Sequence, residues 1–390
     1  MRGKNVWILS LVSFFTDMGT YMVTPLIPII LSASGPFIIG LIDGLSESLA
    51  SVLKLYSGKR SDRLKNRKNL AIVGYGLSGI GRLVLIFSSS WIGVFIWKLV
   101  DRTGKGIRTA PRDALISESG GKNKQGRVFG IHQMMDMLGA ALGIGTAIVI
   151  LQAVGNKNIK DVFLYSFVPI TIGWIILFSV KERINKPIGQ PNKPVRKLDF
   201  KWELLDSNIK KLLLIVLLFT IVNSSNSFLL LRVANLGFSN QSVLLMYLLF
   251  HLTASSFSYI SGAFSDKYGR RGILTAGYAL YGIVYIGFAE VHSATSLVIL
   301  FILYGLYSAL TKGVEKALVV ELASPDALGT VLGFYAMVSG IGFFPASLLT
   351  GWLWQQFGAT TSFYINGVIA LFTALLLMRV LKRIKEVTNS

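Results

Sequence analysis

Ionisable side chains recur in this chain where the sequence is otherwise apolar enough for lipid. Asp17 lies in the apolar run 5–31, Asp43 and Glu47 in 36–57, and Asp136 in 127–153. The run 91–117 carries Arg102, Lys105, Arg108, Arg112 and Asp113. A charge at the centre of a bilayer helix costs about 2.5–3.5 kcal/mol or more, so such residues mark ion or solute pathways. At 1.5 Å per residue, Asp17 is about 18 Å into its helix and Arg102 about 16 Å into its own, both near mid-membrane. The carboxylates are candidate proton carriers, in the order Asp17, Glu47, Asp43, Asp136. Asp43 and Glu47 are four apart and share a helix face, with Lys54 two turns further on. Arg102, Lys105, Arg108 and Arg112 form a broad basic stripe that must face a partner or a water-filled cavity. Arg112 and Asp113 also suit a structural ion-pair network at the inner helix end. Arg108 and Asp136 fall at equal depth on adjacent helices and are expected to pair, since either left alone would be costly.

The second half carries fewer such groups. Asn223 and Asn226 bracket two serines at mid-depth, a patch suited either to binding a solute or to helix packing. Lys312-Gly313-Val-Glu315-Lys316 stands where the first half has Lys105-Gly106-Ile-Arg108, and Lys312 and Glu315, three apart, are expected to pair. Enzyme chemistry is not expected. There is no cysteine, and His132, His251 and His292 have no metal-ligand spacing. No Ser/His/Asp set or phosphate loop is present, so neither a cofactor nor a metal is expected, only a proton or other ion gradient.

The elements that must position these groups are helices. The chain is 52% hydrophobic and 15% charged, against about 25% charge in soluble domains. Apolar runs of this length read as membrane-spanning helices, and they are too long for barrel strands. Twelve are expected: 5–31, 36–57, 69–89, 91–117, 127–153, 162–180, 210–233, 240–261, 272–291, 295–320, 328–353 and 361–380. The run after Met1-Arg2-Gly3-Lys4 continues past Leu26 through Asp17 without a cleavage site, so it reads as a retained first helix. The net charge of +20 does not point to nucleic acid. Its 39 Lys and Arg concentrate in alternate loops, with Lys157, Lys160 and Arg232 the exceptions on the outer side. That bias places both termini in the cytoplasm of a plasma or inner membrane. The polar stretch 181–207, with Pro187, Pro191 and Pro194, reads as a linker. The expected units are a six-helix bundle over 1–183, a linker over 184–207 and a second six-helix bundle over 208–390.

One short stretch occurs twice. Gly58, Asp62, Arg63, Arg67 and Lys68 follow the second helix; Gly262, Asp266, Lys267, Gly269, Arg270 and Arg271 follow the eighth. The second copy fits the turn signature G-x-x-x-D-[R/K]-x-G-[R/K]-[R/K] of the major facilitator superfamily at every specified position. The first lacks the second glycine and is one residue longer. The whole chain resembles that superfamily, whose transporters are built from repeated halves. Arg102-x-x-Lys105-Gly106 resembles its fourth-helix signature, whose arginine is linked to proton coupling. Gly130, Gly139 and Gly143 resemble the fifth-helix signature of its antiporters, although Ile144 stands where a proline is usual. The resemblance implies an all-α membrane fold of two pseudo-symmetric bundles. It implies a secondary transporter that moves a small organic solute by alternating access, proton-coupled, with export favoured and the protein acting as a monomer in the bilayer. Uptake or exchange of an anionic metabolite is the alternative, and a non-transporting sensor or assembly partner the alternative of another class. The doubled turns are expected to latch the bundles, with Asp62 against the eleventh helix near Leu328 and Arg63 or Arg67 binding Asp113 or Glu118.

Overall fold

A computed structural model describes residues 2–27, 35–64, 66–87, 90–120, 124–153, 159–182, 205–324 and 327–388. The outer turn 32–34, Lys157 and most of the linker, with Pro187, Pro191 and Pro194, lie outside the described residues, as does the side chain of Asp43. Every described element is helical. The first half comprises α1 (Arg2–Val23, extended by a 3-10 turn Thr24–Leu26), α2 (Gly35–Leu64), α3 (Arg67–Phe87), α4 (Trp91–Gly120), α5 (Gln125–Ala153) and α6 (Ile159–Leu177). The second comprises α7 (Ser207–Val222), α8 (Asn226–Asn235), α9 (Asn240–Tyr268), α10 (Arg270–Glu290), α11 (Ala294–Leu322) and α12 (Leu328–Thr388).

Two features convert these into twelve crossings. The seventh crossing is α7 and α8 together, interrupted at the Asn223–Asn226 patch, where short polar side chains compete for backbone hydrogen bonds. Tyr281 holds the broken end by donating to the Val222 carbonyl at 2.7 Å. The eleventh and twelfth crossings are both within α12, separated by Gly358 at φ +84°, a conformation that only glycine adopts cheaply. The chain is thus a multi-pass membrane protein. Eight described stretches are long and apolar enough to span a bilayer, and α4 is not among them because its charges intervene. Several helices of the second half start on side-chain caps: Asp206 accepts from Asn208 N at 2.7 Å, Ser239 from Ser242 N and Ser293 from Ser296 N.

The two bundles differ inside. The second is packed with aromatics, among them Phe219 stacked on Tyr278 at 3.6 Å and Tyr281 on Tyr285 at 4.1 Å. In the first, α1 lies between α5 and α6, and the helices approach through small residues, as they do where lipid removes the hydrophobic incentive to associate. A Cβ at Gly139 or Gly143 would strike the carbonyl of Phe14 or Met18 on α1. Gly139→Leu should therefore cost at least the 1–3 kcal/mol typical of overpacking. A melting temperature in detergent within about 1 °C of the parent's would contradict this packing; a loss of several degrees is expected.

Between bundles, α5 packs on α9 and α2 on α12, each pair running antiparallel. Gly126 meets Gly262, Gly130 the backbone of Ser258, and Ser255 donates to Met134 O at 2.9 Å. Gly58 meets Gly329, Gly333 meets Leu55, and Gly340 meets Ser51. All these approaches lie in the half of the molecule that holds the doubled turns.

Candidate functional site

Each doubled turn places an aspartate on the start of a helix in the opposite bundle. Asp62, near the end of α2, accepts from Gly329 N at 3.0 Å, Thr330 N at 2.6 Å and Thr330 Oγ1 at 2.9 Å. Asp266 accepts from Gly126 N at 2.8 Å and Arg127 N at 2.7 Å. In both cases a carboxylate satisfies the unpaired N–H groups and positive dipole end of a helix. An arginine at the start of the next helix completes each unit. Arg67 binds Asp62 at 3.0 Å and also Glu118; Arg270 binds Asp266 at 2.8 Å and also Glu321. The extra residue of the first turn lies between Asp62 and Arg67 and leaves these contacts equivalent. Gly269, at φ +95°, joins α9 to α10. In the first turn Glu182 takes the N–H groups of Arg67 and Lys68 instead. Arg63 is exposed, Lys68 donates to the Phe178 carbonyl, Lys267 lies over Tyr268, and Arg271 is partly buried at the start of α10.

The latches fix the register between halves. Equivalent positions are 204 apart up to the turn (Gly58/Gly262, Asp62/Asp266) and 203 apart after it (Arg67/Arg270, Tyr75/Tyr278, Glu118/Glu321, Gly126/Gly329). In this register Arg112 corresponds to Glu315 and Asp113 to Lys316. The geometry agrees, since Tyr75 Oη lies 3.5 Å from Arg112 and Tyr278 donates to Glu315 at 2.8 Å. Asp113 and Lys316, one from each bundle, bind each other at 2.7 Å, so this pair sits on the pseudo-two-fold axis. The match of Lys105-Gly106 with Lys312-Gly313 is therefore about one helical turn out. Lys312 corresponds to Thr109, and Lys105 to Ser308.

The basic stripe of α4 divides among neighbours. Residues advance about 100° each round a helix, so Arg108 stands about 120° from Arg102. Arg102 turns to α2, where Glu47 receives it at 3.4 Å and Lys54 at 3.2 Å. Arg108 turns to α3, bonding Ser78 and lying 4.4 Å over the Tyr75 ring. The expected Arg108–Asp136 pair is not formed, because equal depth did not give equal azimuth. Asp136 lies 3.6 Å from His132 on its own helix. Arg112 bonds Asp113 at 2.9 Å and Ser13 at 2.8 Å. The expected Lys312–Glu315 pair is also absent, as Glu315 accepts from Tyr278 and, at 2.7 Å, from Tyr335. Asn223 donates to Tyr307 at 2.9 Å and Asn226 accepts from Tyr304 at 2.8 Å, so packing of the broken helix occupies both.

Asp17, Lys105 and Lys312 remain around the middle of the molecule. Asp17 lies within the fields of both lysines. Sequence reasoning weighed His132 and His251 only as metal ligands and passed over Arg82 and the tyrosine cluster. The equivalence of Tyr75 with Tyr278 was the available signal for the last. Arg82, wholly buried under Trp97 at 5.0 Å from the ring centroid, gave none beyond its presence in an apolar run.

Comparison with known proteins gives a consistent result. The family model described as Major Facilitator Superfamily matches residues 9–232 and 212–390. An uncharacterised MFS-type transporter of Methanocaldococcus jannaschii is 37% identical over 383 residues, covering 96% of this chain and 94% of the relative. The fold is similar to the human organic anion transporter TETRAN, with a TM-score of 0.80 at 15% identity over 96% of this chain and 99% of that one. It is similar to the E. coli fucose:proton symporter, with a TM-score of 0.75 at 11% identity over 96% and 98%.

Proposed function

The chain belongs to the major facilitator superfamily, and from that premise we propose that it is a proton-coupled exporter of a small organic solute in the plasma or inner membrane. One observation carries the reading: Asp17 and Glu47 face cations between two bundles that are latched together at one end. The positive-inside bias assigns that end to the cytoplasm, so the geometry corresponds to a cavity closed inward. Protonation of Glu47 weakens its hold on Arg102, and protonation of Asp17 removes the one carboxylate shared by Lys105 and Lys312. Either change alters which arrangement of the bundles is favoured, and the gradient biases the cycle by its different access to the two states. The close glycine contacts of Gly130, Gly139 and Gly143 match the antiporter pattern and support export. The proton symporter among the structural neighbours is in keeping with proton coupling.

Proteoliposomes loaded with a pH-sensitive dye test this. A transported solute added on one side should move protons, and Asp17→Asn and Arg102→Ala should each abolish that movement while solute still binds. Unchanged proton movement in both variants would overturn the proposal.

A further inference from the structure

We propose that the space around Asp17 binds an organic anion, held between Lys105 of α4 and Lys312 of α11. This deepens the transporter reading and rests on it. The two lysines belong to different bundles and are half-buried, and their ammonium groups make no ion pair or hydrogen bond among the described residues. Of the neighbouring carboxylates, Glu47 also binds Lys54 and Arg102, Asp113 binds Arg112 and Lys316, and Glu315 accepts from two tyrosines; Asp136 keeps an unbonded Oδ1 and lies within the field of Lys312. Lys54, Arg102, Lys105 and Lys312 together share three carboxylates, Glu47, Asp17 and Asp136, so the space carries an excess of positive charge. An excess of positive charge at this depth is costly, and an anionic solute relieves that cost.

The surroundings specify the rest of the solute. His251 is 1% exposed, lies within the field of Lys312, and has both ring nitrogens unbonded. Tyr21 and Tyr247 pack edge-on against it at 4.8 and 4.6 Å. These rings come from α1 and α9, one from each bundle, and form an apolar wall beside the cations. A compound with an anionic group and an aromatic or other apolar body fits both parts. Because Lys105 and Lys312 lie on opposite bundles, one bound anion draws the two halves together, which links binding to closure.

Thermal shift on the purified protein, with 2-naphthoate, benzyl phosphate and tetraphenylphosphonium as probes, tests the site without a gradient. Both anions should raise the melting temperature and the cation should not. Lys105→Gln and Lys312→Gln should each raise the half-saturating anion concentration by about tenfold to a hundredfold, the range for losing a charged hydrogen bond. Lys105→Arg and Lys312→Arg should retain the shift. Without solute, the glutamine variants should melt at or above the parent, since each removes one charge of the positive excess. Stabilisation by the cation alone, unchanged anion affinity in both glutamine variants, or a lower unliganded melting temperature in both would overturn the proposal. Anion binding without proton movement would fail the coupling reading and leave this one standing. Proton movement driven only by the cation would do the reverse.

Discussion

In an Asp62→Asn variant, a cysteine placed at Ala317 should react with a thiol reagent about tenfold faster or more than in the parent chain. Ala317 is fully buried, packed among Leu115 and Val128 of one bundle and Tyr259 of the other, and becomes accessible only if the latched end opens. The chain has no cysteine of its own, so the signal comes from this site alone. Asp62 is 4% exposed and takes donors from Gly329, Thr330 and Arg67 together. Asparagine removes the charge that the helix end favours, turns an N–H group toward other donors, and leaves Arg67, 3% exposed, with Glu118 only. Removing one partner of a buried pair costs about 3–5 kcal/mol. Every 1.4 kcal/mol of that lost only in the latched state is about tenfold in population. Asp266 still holds its own helix, so Asp62→Asn with Asp266→Asn should label faster than either alone. An unchanged rate at Ala317 in the double variant would show that the turns do not hold this end shut.

The second large effect is expected at Glu47. Glu47→Gln leaves Lys54, 7% exposed, and Arg102 and Lys105 beside it without their shared anion. A loss of about 3–5 kcal/mol in stability is expected, the range for breaking a buried pair from one side. Adding Lys54→Met should recover part of it, because the residual cost lies in the stranded cation. Denaturation of the two variants in detergent decides the matter. If Lys54→Met lowered the stability of Glu47→Gln further, Lys54 would be needed for packing and Glu47 would not be its counter-charge.

The sequence made the helices and both latches legible for different reasons. Helices show through hydropathy, because lipid demands long apolar runs. The turns show through repetition, and Asp62 could be placed near Leu328 because a helix start is a predictable home for a carboxylate. Pairings inside the bundles were not legible. Arg108 and Asp136 share a depth, but depth counts residues along an axis and says nothing of rotation; Tyr75 and Ser78 took Arg108 instead. Glu315 found Tyr278 of α10 and Tyr335 of α12 rather than Lys312, and spacing within α11 says nothing of side chains on the helices beside it. The register between halves was misjudged by a turn, since Lys-Gly recurs by coincidence at Lys105 and Lys312, whereas Tyr75/Tyr278 keeps the true interval. The interruption at Asn223–Asn226 was visible as polarity but not as a break, which depends on tyrosines accepting and donating around it.

Asp113 and Lys316 have a bearing on ancestry. A residue on a two-fold axis meets its own copy, so in an assembly of two identical halves this position would set aspartate against aspartate or lysine against lysine. Opposite charges there are open only to copies that mutate independently. The salt bridge is thus a mark of halves that have diverged: attraction stands at the centre where identical copies would set like against like, a solution closed to any homodimer.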